Sequence, residues 1–219
     1  MTSTATPLSI YQLRIVLRGI SPLIWRRVLV RSETTLAQLH GILQILFAWS
    51  DEHLHSFHIH GRAYGSSGAS THNIRLRDLC LHRGERFRYV YDFGVYWECD
   101  IRLERILPLA SQRVYRVCIG GKRAAPPEDC RGAWGYLERL DQHRLYPSLE
   151  AMGVVAKAIS TLLEADSQTS AREALGDLDE FREAVDCLDA YQQFQPAHFD
   201  RHEVNTHLHS LMWSAEETP

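Results

Sequence analysis

Apolar and polar positions alternate with a period of two along much of the first half of the chain. Tyr11, Leu13, Ile15 and Leu17 interleave with Gln12, Arg14, Val16 and Arg18, the pattern of a half-buried strand. Gly19 to Pro22 turns the chain, and Leu23 to Val30 predicts a second strand with Trp25 inside it. Further on, Phe87, Tyr89 and Tyr91 alternate with Arg88, Val90 and Asp92. Beyond a turn at Phe93-Gly94, Val95, Trp97, Cys99, Ile101 and Leu103 alternate with Tyr96, Glu98, Asp100, Arg102 and Glu104. This predicts a hairpin with one buried and one wetter face. Val114 to Ile119 reads as another strand, followed by a loop set by Gly120, Gly121, Pro126 and Pro127.

Elsewhere the period lengthens. Leu36, Leu39, Leu43, Leu46 and Phe47 fall on one stripe, which predicts a helix over Leu36 to Trp49 capped by Thr34 or Thr35. From Gly135 onward the pattern is helical, with amphipathic helices over Ser148 to Glu164 and Ala171 to Phe194 and a stop at Pro196. Tyr64 to Asn73, rich in Gly and Ser, reads as a flexible loop. Strands first and helices later, with no internal repeat, give an α+β fold: a mainly antiparallel sheet, a packed N-terminal-half helix and a helical C-terminal region. One domain over residues 8–210 is expected, with flexible tails at 1–7 and 211–219.

The densest chemistry lies in Asp51 to Gly61, DEHLHSFHIHG, which holds four of the twelve histidines. As a strand, this segment puts His53, His55, Phe57 and Ile59 on one face and Leu54, Ser56, His58 and His60 on the other. Two imidazoles at i, i+2 can reach one metal ion, and neutral imidazole is a good zinc ligand. The same parity also fits two core histidines bonded to backbone or carboxylate. His58 and His60 read as surface residues.

Charge is unevenly divided. Met1 to Arg123 carries a balance of +8 and Ala124 to Pro219 one of −11, within a formal net charge of −3. The basic part is almost all arginine, which suits phosphate and carboxylate recognition. Either the two parts neutralise each other, or the basic face meets an anionic partner. Arg14, Arg18, Arg26 and Arg27 around Trp25 are the candidate nucleic-acid contacts. The five cysteines have no paired spacing and read as reduced thiols, most of them small buried hydrophobes. Neither a membrane-spanning run nor a secretion signal is visible, so a cytoplasmic location is expected.

Five pieces then fit together in order: Pro22-Leu23-Ile24-Trp25-Arg26-Arg27; Leu39-His40; Trp49 with His53-Leu54-His55-Ser56-Phe57; Tyr89-Val90-Tyr91-Asp92-Phe93-Gly94 with Trp97; and Pro126-Pro127-Glu128-Asp129-Cys130 with Gly132 and Gly135-Tyr136. Phe194, Pro196, Phe199-Asp200 and Val204-Asn205 close the set. With these motifs the chain resembles the plasmid pRiA4b ORF-three-like family, also described as TnpR-like passengers of insertion elements, over most of Leu13 to Leu208. The resemblance implies an α+β domain and assigns it no reaction. It also marks departures: Val95 stands where the family has Asp, Cys99 where it has His, and Arg131 where it has Gly. Residues 147–193 look longer than usual, as a helical insertion would.

Taken together, these features predict a binding or accessory protein associated with mobile elements. Its polar site would be built from His53, His55, Asp92, Glu128, Asp129 and Cys130. The alternatives are a metal-dependent hydrolase or nuclease with His53 and His55 as ligands, and a nucleic-acid-binding module using the arginine-bearing sheet. No cofactor is predicted; zinc or another divalent ion is the group that His53 and His55 with a loop carboxylate, or Cys99, Cys118 and Cys130, would take. A nucleic acid or another protein is the expected partner class, and a membrane is not.

Overall fold

In the computed structural model, the described residues are 8–66, 68–110, 115–145, 149–164 and 177–211. The segments 1–7 and 212–219, where flexible tails are expected, fall outside them. The chain divides into two compact units, Met1–Tyr136 with Ala197–Pro219, and Leu137–Pro196.

The first unit is built on an antiparallel sheet of seven strands: β1 (Ser9–Leu17), β2 (Ile24–Arg31), β3 (His55–Ile59), β4 (Arg62–Gly65), β5 (Arg86–Tyr91), β6 (Trp97–Pro108) and β7 (Val117–Lys122). Their order is β4-β3-β5-β6-β1-β2-β7. Helix α1 (Leu36–Phe47) lies against one face of this sheet, where Gln44 and His40 bond the inward Tyr89 hydroxyl. The alternation read in the sequence is the reason for this arrangement. Leu13, Ile15, Leu17, Ile24, Val28, Val30, Phe57, Tyr89, Cys99, Ile101 and Leu103 are all buried, as are Leu36, Leu39, Leu43 and Phe47 of α1. Each fully buried Leu, Ile or Phe contributes about 1.5–3 kcal/mol relative to leaving it in water.

Thr35 is the helix cap: its hydroxyl accepts from the Gln38 amide at 3.1 Å, and the Gln38 side chain accepts from the Thr35 amide at 2.8 Å. This capping box satisfies two end donors. Ala48 ends the helix in a left-handed conformation, and the chain then delivers Trp49 into an aromatic stack with Phe47 and Tyr91.

Several expectations need correction. The histidine-rich strand starts at His55, so His53 precedes it and the two do not share a strand face. Ser56 is buried rather than wetted. His60 and Gly61, both at positive φ, form a two-residue hairpin turn into β4, the backbone combination that such turns require. Part of the expected flexible loop at Tyr64 is therefore a strand. Val95 belongs to the turn, and β6 starts at Trp97 and continues to Pro108. Gly120 and Gly121 are strand residues of β7, not loop. A Cβ on Gly121 would stand 2.3 Å from Phe199 Cε1, so only glycine lets that ring seat.

Arg26 is buried, 1% exposed, on the inner face of β2. Its guanidinium donates to Leu46 O at 3.0 Å, Trp25 O at 2.9 Å and Lys122 O at 3.1 Å, and lies 4.0 Å over the Phe199 ring. Burial lowers its pKa to about 10, and it remains a cation at neutral pH. Seated at the C-terminal end of α1, this cation faces the negative end of the helix dipole. It is a core residue, and the expectation that it contacts nucleic acid is withdrawn for lack of exposure.

Helix α2 (Gly132–Leu145) runs out of the first unit. The second unit holds α3 (Leu149–Glu164) and α4 (Leu178–Gln193), which pack together with Ala151, Ala158 and Ala184 buried. Asp177 caps α4 by accepting from the Asp179 and Glu180 amides. The N-terminal part of the helix expected from Ala171 lies outside the described residues. Back in the first unit, α5 (Arg201–Ser210) was not anticipated as a helix. Its Asn205 side chain both donates to and accepts from the Cys118 backbone, fixing α5 to β7.

Candidate functional site

Three connections of the first unit converge on one side of the sheet: the segment between α1 and β3, the turn between β5 and β6, and the loop before α2. They enclose a cleft of about 340 Å³ lined by Ser50, Glu52, His53, Asp92, Val95, Glu128, Asp129 and Arg131. His53, Asp92, Glu128 and Asp129 of the expected site are thus together. Each connection enters through a left-handed residue that is not glycine: Asp51 at φ 63°, Asp92 at φ 56° and Arg131 at φ 62°. Such conformations cost on the order of 1–3 kcal/mol and concentrate at functional sites.

Glu128 is the fixed point of the cleft. Tyr91 donates its hydroxyl to Oε1 at 2.5 Å, while the Ser50 amide and hydroxyl donate to Oε2 at 2.6 and 2.9 Å. Burial by itself raises the carboxyl pKa, but these three bonds and the nearby His53 outweigh it and hold the pKa below the ordinary carboxylate value. The converse holds for Tyr91: burial first, then the bond to Glu128, push its hydroxyl up to about 12. Tyr91 therefore stays a donor and Glu128 an anion. The Glu128 carbonyl accepts from the buried Trp97 indole at 3.2 Å, anchoring the loop from below.

The turn between β5 and β6 places the second carboxylate. Asp92 Oδ1 accepts from the Gly94 amide at 2.8 Å, an Asx-type bond that fixes the side chain. His53 Nε2 stands 3.7 Å from both Asp92 Oδ2 and Glu128 Oε1. Its side chain is 45% exposed. Gly132 and Gly135 allow the Glu128-bearing loop to close, since a Cβ would meet Val95 O at 2.6 Å in the first case and Cys130 O at 2.0 Å in the second.

His55 and Cys130 do not line this cleft. His55 points into the core, stacked on His40 with ring centroids 3.6 Å apart. Its Nε2 is buried without a hydrogen-bond partner among the described residues. Burial, reinforced by His40, lowers the His55 pKa to about 4 despite the opposing pull of Asp51. His40 Nε2 meets Asp51 Oδ1 at 2.6 Å and Nδ1 meets the Tyr89 hydroxyl at 2.7 Å, which in turn accepts from Gln44 at 2.9 Å. A carboxylate can only accept, so the neutral ring carries its proton on Nε2 and accepts from Tyr89. Burial still lowers the His40 pKa, against the Asp51 bond.

Cys130 is half-buried with its thiol toward Gly132 O, Cys118 is buried with its thiol toward Gly120 O, and Cys99 is in the core beside Tyr89. Among the described residues no group of three or more His, Cys, Asp or Glu is arranged to hold a metal ion. Ser50, Tyr91, His40 and Asp51 belong to the polar arrangement and were absent from the sequence-based site. Tyr91 carries no polar signal because it occupies an apolar strand position; His40 is marked in the sequence by the Leu39-His40 piece, which gives it no place in a site.

The family model described as Plasmid pRiA4b ORF-3-like protein matches residues 9–151, which contain the whole cleft. The chain belongs to that family. An uncharacterised protein, y4hQ, from Sinorhizobium fredii is 30% identical over 138 residues, covering 59% of this chain and 71% of the relative. The crystal structure of a protein of unknown function, MM3350 from Methanosarcina mazei, superposes with a TM-score of 0.61 at 31% identity, covering 90% of this chain and 97% of that one. Of the positions expected from the resemblance to depart from the family pattern, Val95 and Arg131 line the cleft and Cys99 is buried in the core. No helix among the described residues is long and apolar enough to cross a membrane.

Proposed function

We propose that the protein is a binding protein whose cleft takes a small cationic group, an ammonium or guanidinium, carried by its ligand. The observation that carries this reading is the fixed pair of carboxylates in the cleft. Glu128 is held by Tyr91 and Ser50, Asp92 is held by its own turn, and Glu52 and Asp129 add to the acidic lining against Arg131. Carboxylates oriented before the ligand arrives lose little on binding a cation. His53, between the pair, is a half-exposed gate that a cation can displace.

A second reading has its own support. One imidazole and two carboxylates face each other across 3.7 Å in the described residues, the ligand types of a hydrolytic metal site. As they stand these groups do not form a metal cluster, so that reading requires Asp92 and Glu128 to close on an ion. The mobile-element association implied by the resemblance rests on that resemblance alone and adds nothing to the chemistry.

Calorimetric titration of the full chain with spermidine, agmatine, Mn²⁺ and Zn²⁺ separates the two. Saturable amine binding that Asp92→Asn abolishes supports the cation-binding reading; no binding of either amine sinks it. Stoichiometric metal, lost in His53→Ala, transfers the site to the second reading.

A further inference from the structure

On the face of the sheet opposite α1, the register brings four arginines into one row. Arg86 on β5 pairs with Arg102 on β6, Arg102 with Arg14 on β1, and Arg14 with Arg27 on β2. All four point away from the core, as the buried neighbours Phe87, Ile101, Leu103, Leu13, Ile15 and Val28 require. Like charges placed directly opposite across strands are unfavourable. The sheet repeats this pairing at three successive steps.

The acidic groups on this face are already paired, one of them with Arg27 of the row itself. Glu104 accepts from Arg27 at 2.6 and 3.0 Å and from Gln12 at 2.7 Å. Glu98 meets Arg88 at 2.6 Å and Arg18 at 3.2 Å, and Asp100 meets Arg18 at 3.5 Å. Arg86 and Arg102 form no ion pair with a carboxylate among the described residues, and neither do Arg83 and Arg105 beside them; Arg14 forms none either, although its charge is felt at Glu104. Arg14 Nε is buried and lacks a hydrogen-bond partner, while its guanidinium lies 5.4 Å over Trp25, with that of Arg27 at 5.2 Å on the same ring. A separate feature marks the same place: a depression of about 640 Å³ lined by Gln12, Arg27, Arg83, Gly84, Arg102, Glu104, Arg105 and Ile119.

We infer that this arginine row is a binding site for the phosphate backbone of single-stranded nucleic acid. Guanidinium forks pair with phosphate oxygens in a bidentate manner. Neighbouring strands lie about 4.8 Å apart, so the four guanidinium groups form a stripe of about 14 Å along which a single strand can lay successive phosphates. The sheet twists by about 20–25° per strand, so the side chains fan about the row through about 60–75°. A flexible single strand can turn its phosphates to follow that fan, whereas a stiff duplex holds its phosphates in fixed positions. No base-reading element accompanies the row, so contact is with the backbone and binding is sequence-tolerant. This site is independent of the acidic cleft.

Fluorescence anisotropy of the full chain with labelled single-stranded 20-mers, oligodeoxythymidine and oligouridine, over a sodium chloride series reads the row directly. Phosphates neutralised by the three unpaired members, Arg14, Arg86 and Arg102, give a slope of log K against log salt of about −2.1, or about 18-fold weaker binding from 50 to 200 mM. Arg86→Ser/Arg102→Ser reduces the slope to about −0.7, or about 3-fold over the same range, with a melting temperature equal to or above that of the parent. Arg102→Glu abolishes binding at 100 mM salt. Three results overturn the inference: no oligonucleotide binding at 50 mM salt, an unchanged slope in the double variant, or equal affinity for a duplex of the same length. Heparin binding without oligonucleotide binding overturns the assignment to nucleic acid.

Discussion

His53 and His55 are two residues apart yet occupy opposite kinds of environment. The region around His53 is open: a half-exposed ring stands 3.7 Å from Asp92 and Glu128, and these two carboxylates are oriented by the turn backbone and by Tyr91 and Ser50. The region around His55 is closed, with its ring flat against His40 and one nitrogen buried without a partner. An imidazole in the first setting can exchange contacts with a ligand. In the second it acts as a polar core piece, held neutral by burial and extended toward solvent only through His40 and Asp51. Chemistry therefore follows access and not histidine density.

The largest test of that contrast is pH. The His55 pKa falls from its ordinary value to about 4 on folding. At neutral pH the ring is uncharged in both states and the shift has no effect. As pH drops below about 6.5, only the unfolded chain takes up the proton, so stability is lost progressively until about pH 4, by on the order of 3 kcal/mol. His40, shifted in the same direction, adds to the loss. Denaturant unfolding at pH 7.5 and pH 5 should show this drop, and His55→Phe should remove most of it while keeping the stack on His40. An equal drop in the variant shows that the closed region is not where the protons go. Glu128 responds in a different window. Its depressed pKa contributes stability that is present above the unfolded carboxyl value of 4.5 and lost as pH falls through the lower folded value.

The next effect belongs to the floor of the open region. Glu128→Ala leaves the Tyr91 hydroxyl and the Ser50 amide without their acceptor, at a cost of about 2–3 kcal/mol. Tyr91→Phe removes one donor and costs about 1–1.5 kcal/mol. Because the two groups share one bond, the double variant should lose less than the sum, by about 1 kcal/mol. Strict additivity in urea unfolding would show that the short contact contributes nothing to holding the loop.

How much of this was readable beforehand depended on whether a feature was local. Alternation placed Leu13, Ile15, Tyr89, Cys99 and Ile101 on the inner face correctly, and the helical stripe with Thr35 placed α1 and its cap, because each is decided within a few residues. The acidic loop and the Asp92 turn were also legible, since proline and glycine fix them locally. His53 and His55 were wrongly set on one face because the i, i+2 rule assumes a strand already at His53, whereas the strand begins at His55. Arg26 was misread because its inward parity was overridden by its charge; what accommodates the cation is the carbonyl of Trp25 beside it together with Leu46 O, Lys122 O and the Phe199 ring, which are distant in sequence. Tyr91 and Ser50 were missed because their partner, Glu128, comes from another connection. The arginine row is the clearest case. Each strand shows its outward arginine, but only the register between β5, β6, β1 and β2 sets them side by side.

The smallest stability effect is the one that bears most on function. His53 is half-exposed and its two carboxylate neighbours stand at 3.7 Å, beyond ordinary hydrogen-bond length. Exposed pairs of this kind contribute about 0–1 kcal/mol, so His53→Ala should change the unfolding midpoint by less than about 0.5 kcal/mol in free energy. Its effect on the cleft should be larger and of opposite sign for the two readings proposed. If the ring is a displaceable gate over a cation site, its removal exposes Asp92 and Glu128 and tightens amine binding. If the ring is a metal ligand, the same substitution weakens metal binding, since a set of three ligands becomes a pair. One variant, nearly silent in stability, thus gives binding changes of opposite sign, and an unchanged affinity for amine and metal alike removes His53 from the site altogether.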